Sequence, residues 1–369
     1  MKIGILTSSR ADFGIYLPLL KKLEEDNYFE LTIFAFGTHV SRFHGYTIQN
    51  IVKNNFQKIV SVETLILGDS EEAISSAIGN TTTKFSSIYS FYRNELDLIL
   101  ALGDRYEMFA AVSAAIPFNI PIGHLHGGET TLGAIDNKFR HAITMMSSIH
   151  FTATDSFSER VRDMVGSSDQ VFNVGALSLD GFSELPLLPI SDFKSKFDID
   201  LSIPTILSTF HSETVDITSN KKYASTIVET FLMLSKKYQI VITMPNADSM
   251  GNVIREQLLH LQGKHNVILV ENLGKIGYFS CMKHAKMLIG NTSSGIIEAA
   301  SFSKYVINLG NRQKGRLSSK NVLHSPVDMN TILENVKKIE ENDMYYIGDN
   351  VYERSESSSD LIIQALKKF

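Results

Sequence analysis

Short apolar runs alternate with longer amphipathic stretches along most of the chain. Lys2–Thr7, Glu30–Phe36, Leu96–Leu102, Ile122–His126 and Ile149–Ala153 read as strands. Between the first two, Ile15–Glu25 carries apolar residues at Ile15, Leu19, Leu20 and Leu23, which is helical spacing. Ser178–Leu201 breaks the alternation: Pro186, Pro189 and mixed charges with no sustained period predict a connection between two domains. The pattern then resumes, with strands at Thr205–Thr209, Gln239–Thr243, Asn266–Val270, Met287–Ile289 and Tyr305–Leu309. Helices are expected at Ala224–Lys237, Met250–Leu261, Ser294–Phe302 and the amphipathic Asp360–Phe369.

Strands that alternate with helices imply parallel sheets covered on both faces. The expected fold is therefore α/β, with two Rossmann-like doubly wound domains at residues 1–180 and 181–355. A last helix at 356–369 is expected to pack back on the first domain. Ligands of open α/β sheets bind beyond the carboxyl ends of the strands. This puts the expected site in a cleft between the two domains and makes the polar residues after each strand its candidates.

Composition narrows the class. At 369 residues the chain can bury two cores, and 43% apolar with 20% charged residues is ordinary for a globular protein. A net charge of −5 argues against a general nucleic-acid or anionic-membrane surface. Cys281 stands alone, so neither an intrachain disulfide nor a cysteine metal cluster is available, which fits a reducing compartment. MKIGILTSS reads as a first strand rather than a signal peptide, and no run reaches the roughly 18 apolar residues of a membrane span. A cytoplasmic protein is expected.

The chemistry sits at strand ends. MLIGNTSSGIIEAA, Met287–Ala300, joins a strand to a helix through a polar turn. Gly290 and Gly295 have P-loop separation, but Ile296 and Ile297 stand where that motif needs Lys and Ser or Thr, which excludes it. The turn is either a helix cap or an anion cradle built from free N–H groups. Glu298 could complement the helix dipole or accept from ribose hydroxyls. SSRADFG places Arg10 after the first strand, as a surface group or a phosphate ligand, with Asp12 a candidate cap for a helix starting near Gly14. LDLILALGDRYE delivers Asp104 and Arg105, a structural ion pair or an acid/base group beside an anion site.

IPIGHLHGGETTLGAIDNKFRH gathers His124, His126, Glu129, Asp136 and His141 within 18 residues. Their spacing matches no zinc signature, so acid/base or hydroxyl-binding roles are favoured over metal, and Gly127–Gly128 suggests close backbone approach. In the second half His211, Asn246, Arg312 and Arg316 follow strands and add donors for a diphosphate. Asp198-Ile199-Asp200 has a DxD form but lies in the connection. His39, His150 and His284 read as structural or surface residues.

Taken in order, RADFG, GDRYE, HGGET…ID…RHAIT, FH, PN, GNTSSG…E and VINLGNRQKGR resemble the UDP-N-acetylglucosamine 2-epimerases over nearly the whole chain. The closer resemblance is to the hydrolysing branch of sialic-acid and nonulosonate biosynthesis. It implies a glycosyltransferase-B-like fold and a homodimer or homotetramer. It also implies elimination of the nucleoside diphosphate from a UDP-sugar, followed by addition of water to the glycal. By this resemblance Arg10, Arg105, His211, Asn246, Thr292, Ser293, Glu298 and Arg312 would hold the nucleotide. Asp104 and Asp136 fall where the family has catalytic acids, and His126, Glu129 and His211 complete the expected acid/base set. The related HIEGGE motif has a catalytic Glu where HLHGGE has His126, and one extra residue separates Glu129 from Asp136. Specificity between N-acetylglucosamine and 2,4-diacetamido-2,4,6-trideoxy sugars is expected to lie there. Neither a cofactor nor a metal is expected, because the cationic cluster and a helix N-terminus could carry the diphosphate charge. The expected partner is a nucleotide sugar, with neither nucleic acid nor membrane.

Overall fold

The computed structural model describes residues 1–68, 70–216, 218–245, 251–341 and 345–369. It divides into two compact units. The first comprises Met1–Glu129, Asp136–Phe182 and Arg354–Phe369; the second comprises Thr130–Ile135 and Ser183–Glu353.

The first unit holds seven parallel strands: β1 (Lys2–Thr7), β2 (Glu30–Ala35), β3 (Ile59–Ser61), β4 (Leu98–Leu102), β5 (Ile122–Leu125), β6 (Ile149–Thr152) and β7 (Val171–Asn173). Their order is β3-β2-β1-β4-β5-β6-β7, so the direction of winding reverses between β1 and β4. Alternate side chains feed opposite faces. Ile3 and Ile5 of β1 join one apolar layer, with Leu19 and Leu20 of the helix Arg10–Glu25, while Leu6 joins another with Phe34 and Phe85. Gly4 lies on that second face, where a Cβ would come within about 3 Å of Leu96, Ile99 and Phe34.

The second unit repeats the plan with β8 (Thr205–Thr209), β9 (Gln239–Thr243), β10 (Val267–Val270), β11 (Met287–Gly290), β12 (Val306–Leu309) and β13 (Val322–Ser325). The order β10-β9-β8-β11-β12-β13 places the reversal between β8 and β11. Met287 and Ile289 enter one layer and Leu288 the other. The helix Ser358–Leu366 packs back on the first unit: Ile362, Ala365 and Leu366 join the layer of Leu19 and Leu20, and Lys22 donates to Asp360 at 2.7 Å.

Two doubly wound α/β units are thus present, as the alternation predicts, with local differences. The first helix begins at Arg10, because Ser9 rather than Asp12 is its N-cap. Asp12 instead completes a capping box. The region 178–201 contains a helix, Ile190–Phe197, anchored by the buried Phe193. Strands β3, β7 and β13 have three or four residues each, too short for a periodic signal, and none was expected. The helix expected at Ser294–Phe302 is an α-helix at Ser293–Ile297 followed by a tighter turn at Ala299–Phe302.

Candidate active site

At the end of β1 the chain turns through Thr7, Ser8 and Ser9, and the Asp12 carboxylate organises that turn. It accepts from the backbone N–H of Ser8 and Ser9, both at 2.8 Å, from both serine hydroxyls and from Thr7 Oγ1. His39 closes the back of the turn on Thr7 Oγ1 at 3.0 Å, and its burial lowers its pKa from the usual imidazole value. This buried polar network seats Arg10 in the first helical turn, with its side chain exposed.

The end of β4 faces the same switch point. Gly103 takes φ +82°, a left-handed conformation that a side chain would resist, and the chain then delivers Asp104 and Arg105. Their partners are not those the motif suggests. Asp104 pairs with Arg140, a buried guanidinium on the helix Asp136–Met146. Arg105 lays its fork on the buried Glu107, Nε to Oε2 at 3.2 Å and Nη2 to Oε1 at 3.1 Å.

After β5, His126 leaves the strand at φ +65°, and its backbone N–H donates to Phe151 at 2.9 Å. Its Nδ1 is 2.7 Å from Oε1 of the fully buried Glu129. A second branch of Arg140 donates to the Glu129 carbonyl at 3.1 Å. Asp104, Arg140, Glu129 and His126 therefore form one connected chain of charged and polar groups. Asp136 stands four residues before Arg140 and so shares its helix face. Gly127 allows this packing, since a Cβ there would lie 3.0 Å from both His124 Nδ1 and Thr144 Oγ1. His124 and His150 are buried beneath, and burial is the first cause that holds them at about 3 and about 4, neutral at ordinary pH.

In the second unit, Asn291 follows β11 and locks the end of β8. Its Oδ1 accepts from His211 N at 2.7 Å and its Nδ2 donates to His211 O at 2.8 Å. The Asn291 carbonyl in turn accepts from Gln313 Nε2 at 2.9 Å and Arg312 Nη1 at 3.4 Å. Thr292 is the N-cap of Ser293–Ile297 but makes no side-chain capping bond; its hydroxyl faces Tyr278 instead. Ser293 is half-buried and Glu298 buried. The turn that carries Arg312 rests on Glu213, a buried carboxylate that accepts from Asn311 N at 2.5 Å. Burial raises the Glu213 pKa against the opposing pull of the Asn311 and Arg312 amides. Arg316 donates to Gln313 Oε1 at 2.9 Å. Thr130–Ile135 clips onto this turn: Leu132 N donates to Lys314 O and Ile135 N to Thr214 Oγ1, each at 2.9 Å. Asn246 lies outside the described residues.

The structure thus links Asp104, Glu129 and, through Glu129, His126 to Arg140 in one unit, with Asp136 on the helix that carries Arg140. In the other, His211 and Arg312 bond Asn291 directly, Thr292 and Ser293 follow it in the chain, and the buried Glu298 caps the far end of the helix Ser293–Ile297. Arg140, Asn291 and Glu213 had no assigned role in the sequence. Only Arg140 left a trace there, in its four-residue spacing from Asp136. Among the described residues no three His, Cys, Asp or Glu side chains cluster as a metal site, and no helix is long and apolar enough to cross a membrane.

Two tandem doubly wound units with polar switch points define the glycosyltransferase-B-like class. The sequence pattern of the family described as UDP-N-acetylglucosamine 2-epimerase matches residues 21–367, and the chain belongs to that family. It is 32% identical over 337 residues to the UDP-N,N'-diacetylbacillosamine 2-epimerase (hydrolyzing) of Legionella pneumophila, covering 91% of this chain and 88% of that one. It is also 32% identical over 329 residues to the GDP/UDP-N,N'-diacetylbacillosamine 2-epimerase (hydrolyzing) of Campylobacter jejuni, covering 89% and 85%. The crystal structure of UDP-GlcNAc 2-epimerase from Neisseria meningitidis bound to UDP-GlcNAc superposes over all of both chains with a TM-score of 0.83 at 19% identity, a likeness of fold.

Proposed function

We propose that the protein is a hydrolysing 2-epimerase of a nucleotide-linked 2-acetamido sugar, converting UDP-N-acetylglucosamine to N-acetylmannosamine and UDP. The observation that carries this reading is the connected set Asp104–Arg140–Glu129–His126 at the β4 and β5 ends of a chain in this family.

The C2 proton of such a sugar is not acidic. Breaking the C1–O bond builds oxocarbenium character that activates it, so departing diphosphate charge must be stabilised. Arg10, Arg105, His211, Asn246, Thr292, Ser293, Glu298 and Arg312 are the proposed nucleotide and phosphate ligands. Asp104, His126 and Asp136 are the proposed groups for taking the C2 proton and returning one when water adds at C1 of the glycal. Overall, one water is consumed and the C1–O bond to UDP is replaced by C1–OH.

A second reading, a 2,4-diacetamido-2,4,6-trideoxy sugar on UDP or GDP, is favoured by the two relatives that carry that activity in their names. Proton NMR in deuterated water with both UDP-sugars and their GDP counterparts, and no acceptor, tests both readings. Release of the 2-epimerised free sugar with deuterium at C2 is expected. Nucleotide release without an epimerised sugar, or no turnover of any of these sugars until an acceptor is added in a second reaction, would overturn the proposal.

A further inference from the structure

The ring of His124 is fully buried beneath the proposed acid/base cluster, so it takes neither the acid/base nor the hydroxyl-binding role expected of that cluster. Its Nε2 is 2.8 Å from the carbonyl of Gly103, the peptide immediately before Asp104. A carbonyl only accepts, so Nε2 carries the proton and Nδ1 is an acceptor. Nδ1 lies 3.1 Å from Thr144 Oγ1, a hydroxyl whose single proton also faces the Arg140 carbonyl at 3.0 Å. One ring thus joins the turn that carries Asp104 to the helix that carries Asp136 and Arg140.

We infer that His124 is a positioning residue for the 2-epimerase reaction, setting Asp104 against Arg140 by holding the Gly103 carbonyl from below. The inference rests on the functional reading above. The Gly103 amide is held by the Leu125 carbonyl at 3.1 Å, and His124 holds the other side of the same residue, which at φ +82° brings no side chain of its own. The hold is permanent, because burial keeps the ring neutral far below physiological pH, and His150, His126 and Glu129 are the titratable groups that face it. Gly127 is the counterpart on the third side, its missing Cβ leaving room for the ring and Thr144.

Two substitutions divide the ring's contacts. In His124→Gln the amide reaches the Nε2 position and can still donate to Gly103. In His124→Asn the amide ends at the Nδ1 position, keeping Thr144 and losing Gly103. With the active UDP-sugar, His124→Gln is expected within about 3-fold of wild-type kcat, and His124→Asn about 100-fold lower with KM little changed, the scale of a misplaced reacting group. The pH profile of His124→Gln should keep both limbs of the wild type. Imidazole ¹⁵N NMR of the wild type should show the Nε2–H tautomer untitrated down to pH 5. Equal losses in the two variants, a missing limb in the Gln profile, or a ring titrating near 6.5 would each overturn the role. If His124→Asn does not fold, the Gln kinetics and the NMR tautomer decide. A wild type inactive on every sugar with the tautomer as stated would instead sink the functional reading and this role with it.

Discussion

Arg140 donates to the carboxylate of Asp104, joining the helix Asp136–Met146 to the turn after β4 with a guanidinium side chain only 3% exposed. The same fork holds the Glu129 carbonyl, and Glu129 holds His126. Lysine keeps the charge but cannot serve two acceptors at fixed angles. Arg140→Lys should therefore lose about 2 kcal/mol of stability and roughly 10- to 100-fold in kcat. Urea unfolding alongside steady-state kinetics checks both; an unchanged kcat would show that the fork does not set Asp104.

Asp104→Asn preserves shape and removes the charge opposite Arg140. UDP binding should survive, because the proposed ligands for the nucleotide are mostly elsewhere, while turnover falls by about 10²–10⁴. Calorimetric titration with UDP and a product assay separate the two. Wild-type turnover in this variant would remove Asp104 from the chemistry.

The alternation of apolar runs was enough to read two tandem parallel α/β units, because strands buried on both faces leave an unambiguous signal. Partners were less legible. GDR suggests a pairing of neighbours, yet Asp104 finds Arg140, 36 residues away, and Arg105 finds Glu107. Asn291 sits inside GNTSSG, but its bonds to the His211 backbone cross 80 residues and have no local trace. The three-residue spacing of Ser9 and Asp12 fits a capping box, but Asp12 alone also reads as a cap one turn later, and only the folded turn decides between them. Contacts between distant segments, not local propensity, account for what the sequence withheld.

Gly290 shows the same lesson in a form that can be measured. Its separation from Gly295 suggests a phosphate loop, but a Cβ at Gly290 would lie 2.1 Å from the Thr209 carbonyl on the neighbouring strand. At Gly295 the nearest atom would be a Val306 methyl at 3.0 Å, which can yield. Gly290→Ala should cost about 3 kcal/mol or more and Gly295→Ala about 1 kcal/mol. Thermal unfolding of both variants gives the ranking, and equal losses would contradict it.

The buried histidines set an acid limit. His124 at about 3 and His150 at about 4 are both lowered first by burial. An unfolded imidazole titrates near about 6.5, so below that pH the unfolded chain binds protons that the folded rings refuse. Their contribution is fully present above about pH 6.5, declines below it, and is gone once pH has fallen through the folded values. The expected slope is up to about 1.4 kcal/mol per pH unit for each ring. Unfolding free energies between pH 7.5 and 5 should fall accordingly, and His124→Gln should flatten the slope by one ring's share. A level curve in the wild type would contradict the neutral buried state.

Glu213 offers a test in the second unit. Its buried carboxylate accepts from Asn311 N and lies against the Arg312 amide, and Gly310 at φ +70° brings the turn within reach. Even a Cβ at Gly310 would meet Oε1 at 2.3 Å, so the carboxylate fills the space under the turn. Glu213→Ala would leave those amides without their acceptor, at about 1–3 kcal/mol for an unsatisfied buried group, and free the segment that points Arg312 at the Asn291 carbonyl. UDP affinity should fall about 10-fold, with kcat at saturating substrate much less changed. Glu213→Gln keeps a carbonyl oxygen for Asn311 and should recover most of the affinity. Titration of UDP into the three proteins decides, and equal affinities would mean that Arg312 keeps its place without Glu213.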